Sequence, residues 1–188
     1  MNFLAHLWLA ERAQLPLAGA LLGDYLRGAL PADLPPALAA SVQQHRRVDA
    51  TTDRHPRVVA ARAKFPDGTR RYAGILLDIL YDHALALDWA RYSDEPLAAF
   101  TLRAAHAVAA EPEWFERAGG SVPPAEPFNR LLLSYATPSG IERAVQRTAQ
   151  RLRKPEGLLA ALEGWEARMP EIREGLPDLL ADLQRPSP

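Results

Sequence analysis

Asp78, Asp82 and His83 lie within an almost wholly apolar run at residues 70–89. At about 100° per residue, a helix points Asp78 and Asp82 to one side and His83 to another. An unpaired carboxylate costs several kcal/mol when buried, so such groups are usually paired, protonated or bound to a cation. Mixed oxygen and nitrogen ligands at this spacing suit a divalent metal, and salt bridges to nearby arginines are the alternative.

Two earlier segments also place an acid or a histidine among apolar residues. A helix predicted over residues 2–14 carries His6 on its inward face, where a packed core histidine is the alternative to a ligand. A second helix, predicted over residues 17–29, has Asp24 as its only acid, and a salt bridge is the alternative there.

The second helix also contains Gly19, Gly23 and Gly28. Each glycine costs about 1 kcal/mol in helix propensity relative to alanine. Three such costs in one short helix predict that its backbone packs closely against a neighbour.

A third helix is predicted over residues 36–52. His45 and Asp49 stand four residues apart on one face, and Asp53 follows one turn later if the helix persists. This spacing can supply two metal ligands, or a histidine and its orienting carboxylate. A single His–Asp pair on the surface is the alternative.

The composition limits the chemistry. The 188 residues include no cysteine, so thiolate metal sites and disulfides are excluded and histidines and carboxylates remain as ligands. The formal net charge of −1 indicates neither nucleic acid nor an anionic membrane as a partner. The apolar N-terminus lacks a basic segment and no run is long enough to span a bilayer, so we expect a cytoplasmic protein. The sequence leaves the oligomeric state open.

Alanine and leucine dominate, β-branched residues are sparse, and no alternating strand pattern occurs. The sequence therefore predicts an all-α fold, with one compact helical domain over residues 1–188. The apolar helix at residues 70–89 is expected at its centre.

Several boundaries follow from local signals. Thr69 is the predicted N-cap of the central helix. Residues 111–127, rich in proline, glutamate and glycine, predict a loop or short helical turn. A last helix over residues 156–184 is expected to be interrupted at Pro170, and residues 185–188 are expected to fray.

The acids and histidines in apolar surroundings come from four successive predicted helices. If they face one another, they form a carboxylate–imidazole cage that favours Mn²⁺, Mg²⁺, Fe²⁺ or Zn²⁺. Such a metal polarises a phosphoryl oxygen, and an unligated histidine or aspartate can transfer protons. The residues themselves therefore favour a metal-dependent phosphohydrolase. The set comprises His6, Asp24, His45, Asp49, Asp78, Asp82 and His83.

Basic side chains cluster in two places. Residues 45–71 contain eight arginines and lysines against three acids, a local balance of +5. Arg143, Arg147 and Arg151 form a stripe on a later predicted helix. Such surfaces can attract a phosphate or an acidic protein, and solvated arginines are the alternative.

Four segments of the first half resemble the acyl carrier protein phosphodiesterase family. They are NFLAH (2–6), LLGDYLRG (21–28), HRRVDATTDRHP (45–56) and RRYAGILLDILYDH (70–83). Any one motif is weakly specific, but their combination and order are specific. The second half is similar only as generic helical sequence.

The resemblance implies an all-α, HD-phosphohydrolase-like fold and a phosphodiesterase that depends on a divalent metal, most often Mn²⁺, with Mg²⁺ or Fe²⁺ as alternatives. It implies removal of the 4′-phosphopantetheine arm from the serine of holo acyl carrier protein, an acidic partner. The motif positions also include Asp53. On this basis we expect metal ligands at Asp24, Asp78, Asp82 and His83, catalytic groups at His6, His45 and Asp49, and carrier binding at Arg46, Arg54, Arg57 and Arg71.

Two other functions remain open at this point. A metal-dependent phosphohydrolase acting on a nucleotide or another small phosphoester would need the same cage without a protein-docking surface. A non-catalytic helical interaction protein would use all these acids and histidines as structural groups.

Overall fold

The computed structural model describes residues 1–185, which form twelve α-helices and two 3₁₀ turns without any strand. Their buried side chains form one connected core that extends from Met1 to Leu183. The predicted all-α fold is therefore confirmed. Over the same residues, no helix combines the length and the apolar character that a membrane span requires. The helices are α1 (Phe3–Arg12), α2 (Leu17–Tyr25), α3 (Pro36–Arg54), α4 (Pro56–Ala63), α5 (Asp67–Arg70), α6 (Ala73–Leu87), α7 (Leu97–Ala109), α8 (Pro112–Arg117), α9 (Ala125–Ser134), α10 (Pro138–Ala149), α11 (Glu156–Leu162) and α12 (Met169–Gln184), with the 3₁₀ turns at Trp89–Arg91 and Trp165–Arg168.

The apolar helix α6 lies at the centre of the molecule. It packs against α1, α4, α10, α11 and α12. Four nearly consecutive side chains of α6 are almost completely buried, namely Leu76, Leu77, Ile79 and Leu80. A helix that buries consecutive side chains is covered on nearly every side, as its apolar sequence predicts.

The start of α6 differs from the prediction. Thr69 does not cap it, because its hydroxyl donates to the carbonyl of Pro66 at 3.2 Å within the separate helix α5. The break before α6 falls at Tyr72, whose hydroxyl donates to the Lys154 carbonyl at 2.9 Å. The predicted cap at Thr69 and the continuous helix from residue 70 are therefore wrong.

Three other boundaries also differ from the prediction or refine it. α2 ends before Gly28, whose φ of +72° is left-handed and incompatible with a continuing helix. The segment predicted as a loop or short helical turn contains the short helix α8. The last helix was expected to break at Pro170, but the break lies at Gly164, which has a φ of +65°. Pro170 lies in the first turn of α12, where its missing N–H is not needed. Of the tail predicted to fray, residues 186–188 lie outside the described residues.

Two glycines bring α2 close to α3, as predicted. A Cβ added at Gly23 would lie 2.1 Å from Cδ2 of His45, and one added at Gly19 would lie 2.3 Å from Cβ of Ser41. Gly28 has no such neighbour, so its role is conformational. The missing side chain of Gly23 therefore leaves the space that the His45 ring occupies.

Gly23→Ala should lower the free energy of unfolding by about 1–3 kcal/mol, because the new methyl overlaps a buried ring. The measurement is urea denaturation followed by circular dichroism. Gly68→Ala is the matched control, since Gly68 is helical and nothing lies within 4 Å of its added methyl. Equal stability of the two variants would contradict the close packing of α2 on His45.

Candidate metal centre

The carboxylate of Asp82, which is completely buried, fixes the start of α1. It accepts the backbone N–H of Leu4 at 2.7 Å, of Ala5 at 3.2 Å and of Asn2 at 3.3 Å. These donors have no partner inside the helix, because the first N–H groups of any helix lack one. Burial raises the pKa of Asp82 to about 7, although the N–H groups of Leu4 and Ala5 oppose this increase. The contact ties α1 to α6 and sets where His6 lies.

Asp49 lies between two histidines. Its Oδ1 is 2.9 Å from Nε2 of His6, and its Oδ2 is 3.1 Å from Nε2 of His45. The two imidazole rings are stacked, with centroids 4.1 Å apart and planes inclined by 23°. His45 and Asp49 lie on one face of α3, as their spacing predicts, and His6 reaches them from α1.

A backbone carbonyl fixes the tautomer of His45. Its Nδ1 lies 2.7 Å from the carbonyl oxygen of Ala20, which can only accept, so Nδ1 carries a proton. In the neutral ring, Nε2 therefore presents a lone pair. That lone pair faces Asp49 and also Asp24, whose Oδ1 is 3.5 Å away. Nε2 of His45 and the carboxylates of Asp24 and Asp49 are three acceptors that face one another, and only a proton or a cation between them can satisfy all three.

The protein alone meets this requirement with a proton. Burial would lower the pKa of His45, but hydrogen bonds with Asp24 and Asp49 outweigh it and raise this pKa to about 9. Burial lowers the pKa of His6, against the opposing hydrogen bond with Asp49 and with a further lowering from His45. The pKa of Asp49 is lowered, because its hydrogen bonds to His45 and His6 outweigh burial.

These groups lie at the floor of an open pocket of about 350 Å³. Asp78, from α6, also lines it and accepts from the Met1 amine at 2.9 Å. Asp53 lies at its edge, because α3 continues far enough to carry it. Six of the eight family-motif positions therefore meet in this pocket: His6, Asp24, His45, Asp49, Asp53 and Asp78.

The structure does not bring Asp82 and His83 into the pocket. Asp82 lies behind it and accepts backbone N–H groups, as described above. His83 points to the other side of α6, where its Nδ1 lies 2.5 Å from the carbonyl oxygen of Tyr135 and its ring meets the edge of Trp165. Both were expected to be metal ligands, and both contact protein groups in other directions.

Three of the four arginines expected to bind a carrier make internal contacts. Arg46 donates to the carbonyls of Leu26 and Gly28, and Arg57 pairs with Asp178 of α12. Arg71 donates to the Tyr72 hydroxyl at 2.7 Å, and its guanidinium lies 4.7 Å from the centre of that ring, whereas Arg54 is exposed. Arg71 also lines a cavity that shares Ile75 and Asp78 with the open pocket around Asp49, which we call the metal pocket.

A family model for acyl carrier protein phosphodiesterases matches residues 1–183, almost the whole chain. The chain belongs to this family.

Curated relatives of the family match over a shorter stretch. The acyl carrier protein phosphodiesterases of Escherichia coli O45:K1 and O127:H6 are each 46% identical to this chain over 109 residues, or 57% of the chain and 56% of the relative. That of Escherichia coli O139:H28 is 45% identical over the same length. The chain therefore spans about half the length of the curated relatives it matches. No solved structure matches the chain, so the expected likeness to HD-type phosphohydrolases stays a prediction.

The donor atoms in the pocket of this family member fit a divalent cation. One ligand atom from each of His6, His45 and Asp49 lies within 4.8 Å of the other two. Two imidazoles and a carboxylate suit Mn²⁺, Fe²⁺ or Zn²⁺. Ala20 holds the far nitrogen of His45 in the way that backbone carbonyls commonly orient a metal-ligating histidine. The three residues were expected to be catalytic, and their geometry makes them a possible metal-binding cluster.

Other groups at the pocket are not evident from the sequence pattern. Thr148 of α10 lines it, although the second half of the chain has no recognisable motif. Arg62 of α4 pairs with Asp53 at 2.5 Å and passes over Gly74, where an added Cβ would lie 2.8 Å from its guanidinium. Only the basic character of residues 45–71 hinted at such an arginine.

Asp82→Ala should lower the free energy of unfolding by roughly 2–4 kcal/mol, because buried N–H groups of α1 lose their acceptor. Urea denaturation in the presence of EDTA measures this without any metal contribution. Asp53→Ala is the control, since the exposed ion pair of Asp53 with Arg62 should contribute less than about 1 kcal/mol. If Asp82→Ala lost stability only in buffer that contains Mn²⁺, Asp82 would instead act as a metal ligand.

His45→Gln should weaken Mn²⁺ binding at least about tenfold, whereas His83→Gln should leave it unchanged. The same substitution is made at two buried histidines, of which only His45 faces the pocket. Isothermal titration calorimetry with MnCl₂ measures both. Loss of binding in His83→Gln with retention in His45→Gln would place the metal on the other side of α6.

Proposed function

We propose that this chain is a metal-dependent phosphodiesterase that releases the 4′-phosphopantetheine arm from the serine of holo acyl carrier protein. Family membership over residues 1–183 supports the reaction, and the names of the relatives support the carrier protein as substrate. The observation that carries the proposal is the cluster of His6, Asp49 and His45 at the floor of an open pocket.

In this proposal, His6, His45 and Asp49 would hold a divalent cation. When bound, such a cation supplies Lewis-acid stabilisation of the charge on a phosphoryl oxygen. Mn²⁺ is the cation that the family resemblance implies, with Mg²⁺ or Fe²⁺ as the alternatives, and mixed imidazole and carboxylate ligands are compatible with Mn²⁺ and Fe²⁺. Asp82 supports the site indirectly, because it positions the helix that carries His6.

The reaction consumes one water molecule. The water oxygen forms a bond to phosphorus, the bond from phosphorus to the serine oxygen breaks, and one proton ends on that serine oxygen. Asp24 lies beside His45 and more than half of its side chain is exposed to the pocket and solvent, so we assign it the acceptance of the proton from water. Asp78, on the other wall, is a second carboxylate within the pocket.

Positive charge lies close to where the phosphate would bind. Arg62, Arg70 and Arg71 line the cavity that shares Ile75 and Asp78 with the metal pocket. Guanidinium groups next to a phosphodiester stabilise its charge and that of the transition state. Of the arginines expected to bind the carrier, Arg71 is therefore the best placed, and carrier binding at Arg46, Arg54 and Arg57 stays a prediction, as does a cytoplasmic location.

Purified protein incubated with holo acyl carrier protein and Mn²⁺ should convert it to the apo form, read as loss of the phosphopantetheine mass in an intact-protein mass spectrum. EDTA should abolish the conversion, and Asp49→Asn should slow it at least about tenfold by removing a charged ligand. His83→Gln serves as the control variant, because its side chain lies outside the pocket.

Three results would contradict the proposal. Conversion that is insensitive to EDTA would exclude metal dependence. Cleavage of bis(4-nitrophenyl) phosphate with an intact carrier protein would favour a small phosphoester as substrate. If neither substrate is cleaved and Mn²⁺ does not bind, the alternative of a non-catalytic helical interaction protein would be favoured.

A further inference from the structure

A second cavity, of about 280 Å³, adjoins the metal pocket. Asn2, Phe3 and Thr148 line both, so the two spaces meet along the start of α1 and the side of α10. Deeper in the second cavity the walls are apolar or aromatic, and Phe128 and Tyr135 are almost completely buried there. Its size and lining are those of a site that encloses an organic group rather than an ion.

Tyr25 forms an outer wall of this cavity and is held in place from behind. Its ring meets Phe115 edge to face, with centroids 5.1 Å apart. It also packs on Gly120, where an added Cβ would lie 2.4 Å from the ring. Even so, 38% of Tyr25 is exposed. An aromatic side chain that is fixed on one side and open on the other is suited to contact a ligand.

The metal pocket has a different surface on its other side. Two shallow cavities meet it at Ile75, and their walls carry the basic flank, defined as Arg62, Arg70, Arg71, Arg153 and Lys154. Asp78 lines this flank, and Arg62 and Arg70 are paired with Asp53 and Asp67. Among the described residues, Arg71, Arg153 and Lys154 therefore carry its excess positive charge. The metal pocket lies between a mainly apolar cavity and this basic surface.

The following inference rests on the proposed function. A phosphodiester carries two ester substituents that leave phosphorus in different directions, and here they differ chemically. One is the pantetheine arm, which is uncharged and consists of methylenes, two methyl groups, one hydroxyl, two amides and a terminal thiol. The other is an acidic protein.

We propose that the cavity beside α9 and α10 binds the pantetheine arm, and that the basic flank binds the carrier protein. The neutral arm gains from burial against Tyr25 and Phe128, and Arg147 and Arg151 at the rim can donate to its amide carbonyls. The acidic carrier gains from the cations of the basic flank. The reverse orientation would place an uncharged arm against Arg71, Arg153 and Lys154, where it gains little.

Filling the cavity tests the position of the arm. Leu131→Trp adds bulk to its wall and should raise the KM for holo acyl carrier protein at least about tenfold, while Mn²⁺ affinity stays at the wild-type value. Tyr25→Ala, which adds no bulk, should also raise this KM by removing a wall. Leu102→Trp is the matched control, since Leu102 is exposed on α7 away from both cavities.

Charge reversal tests the position of the carrier. Arg71→Glu should raise KM strongly at 50 mM NaCl and much less at 500 mM NaCl, because added salt screens charge pairs at a surface. The effect of Leu131→Trp should not depend on salt, because it is steric. This difference separates loss of the arm contact from loss of carrier docking.

Each outcome bears on the inference. Wild-type KM in both Leu131→Trp and Tyr25→Ala would overturn the position of the arm. A salt-dependent increase in Arg147→Glu with none in Arg71→Glu would reverse the orientation. Failure of the wild-type protein to cleave the carrier would instead overturn the proposed function, and this inference with it.

Discussion

The contact between Asp82 and the first N–H groups of α1 is the constraint on which the site depends. A helix N-terminus buried in a protein needs acceptors. Here a carboxylate from the central helix accepts three N–H groups, and the side chain of Asn2 accepts that of Phe3 at 3.0 Å. The contact satisfies a carboxylate that would otherwise be buried without a partner. It also fixes the rotation and height of α1 on α6. His6, one turn into α1, therefore reaches Asp49 of α3.

The electrostatics of the pocket require a proton or a cation between its acceptors. Two stacked imidazoles share Asp49, and Asp24 adds a second carboxylate on the same nitrogen of His45. The protein alone satisfies this arrangement by protonating His45, whose pKa is raised to about 9. A divalent ion held there as proposed would displace that proton, and metal affinity would then depend on pH.

The helical fold could be predicted because helical periodicity is local, and the family resemblance supplied most of the residues that meet in the pocket. His45, Asp49 and Asp53 share a face of α3 simply because they are four residues apart. The role of Asp82 could not be predicted in this way, since its partners are backbone groups nearly eighty residues away. Nor could spacing show that His83 contacts Tyr135. Periodicity gives the direction of a side chain on its own helix, and only packing decides what lies opposite.

The most direct test of this account is the anomalous diffraction of a crystal grown with Mn²⁺, collected near the manganese absorption edge. We predict one strong peak bonded to Nε2 of His6, Nε2 of His45 and an oxygen of Asp49, with Asp82 still accepting the N–H groups of α1. A peak bonded to Asp82 or His83, or no peak in the pocket at saturating Mn²⁺, would contradict it.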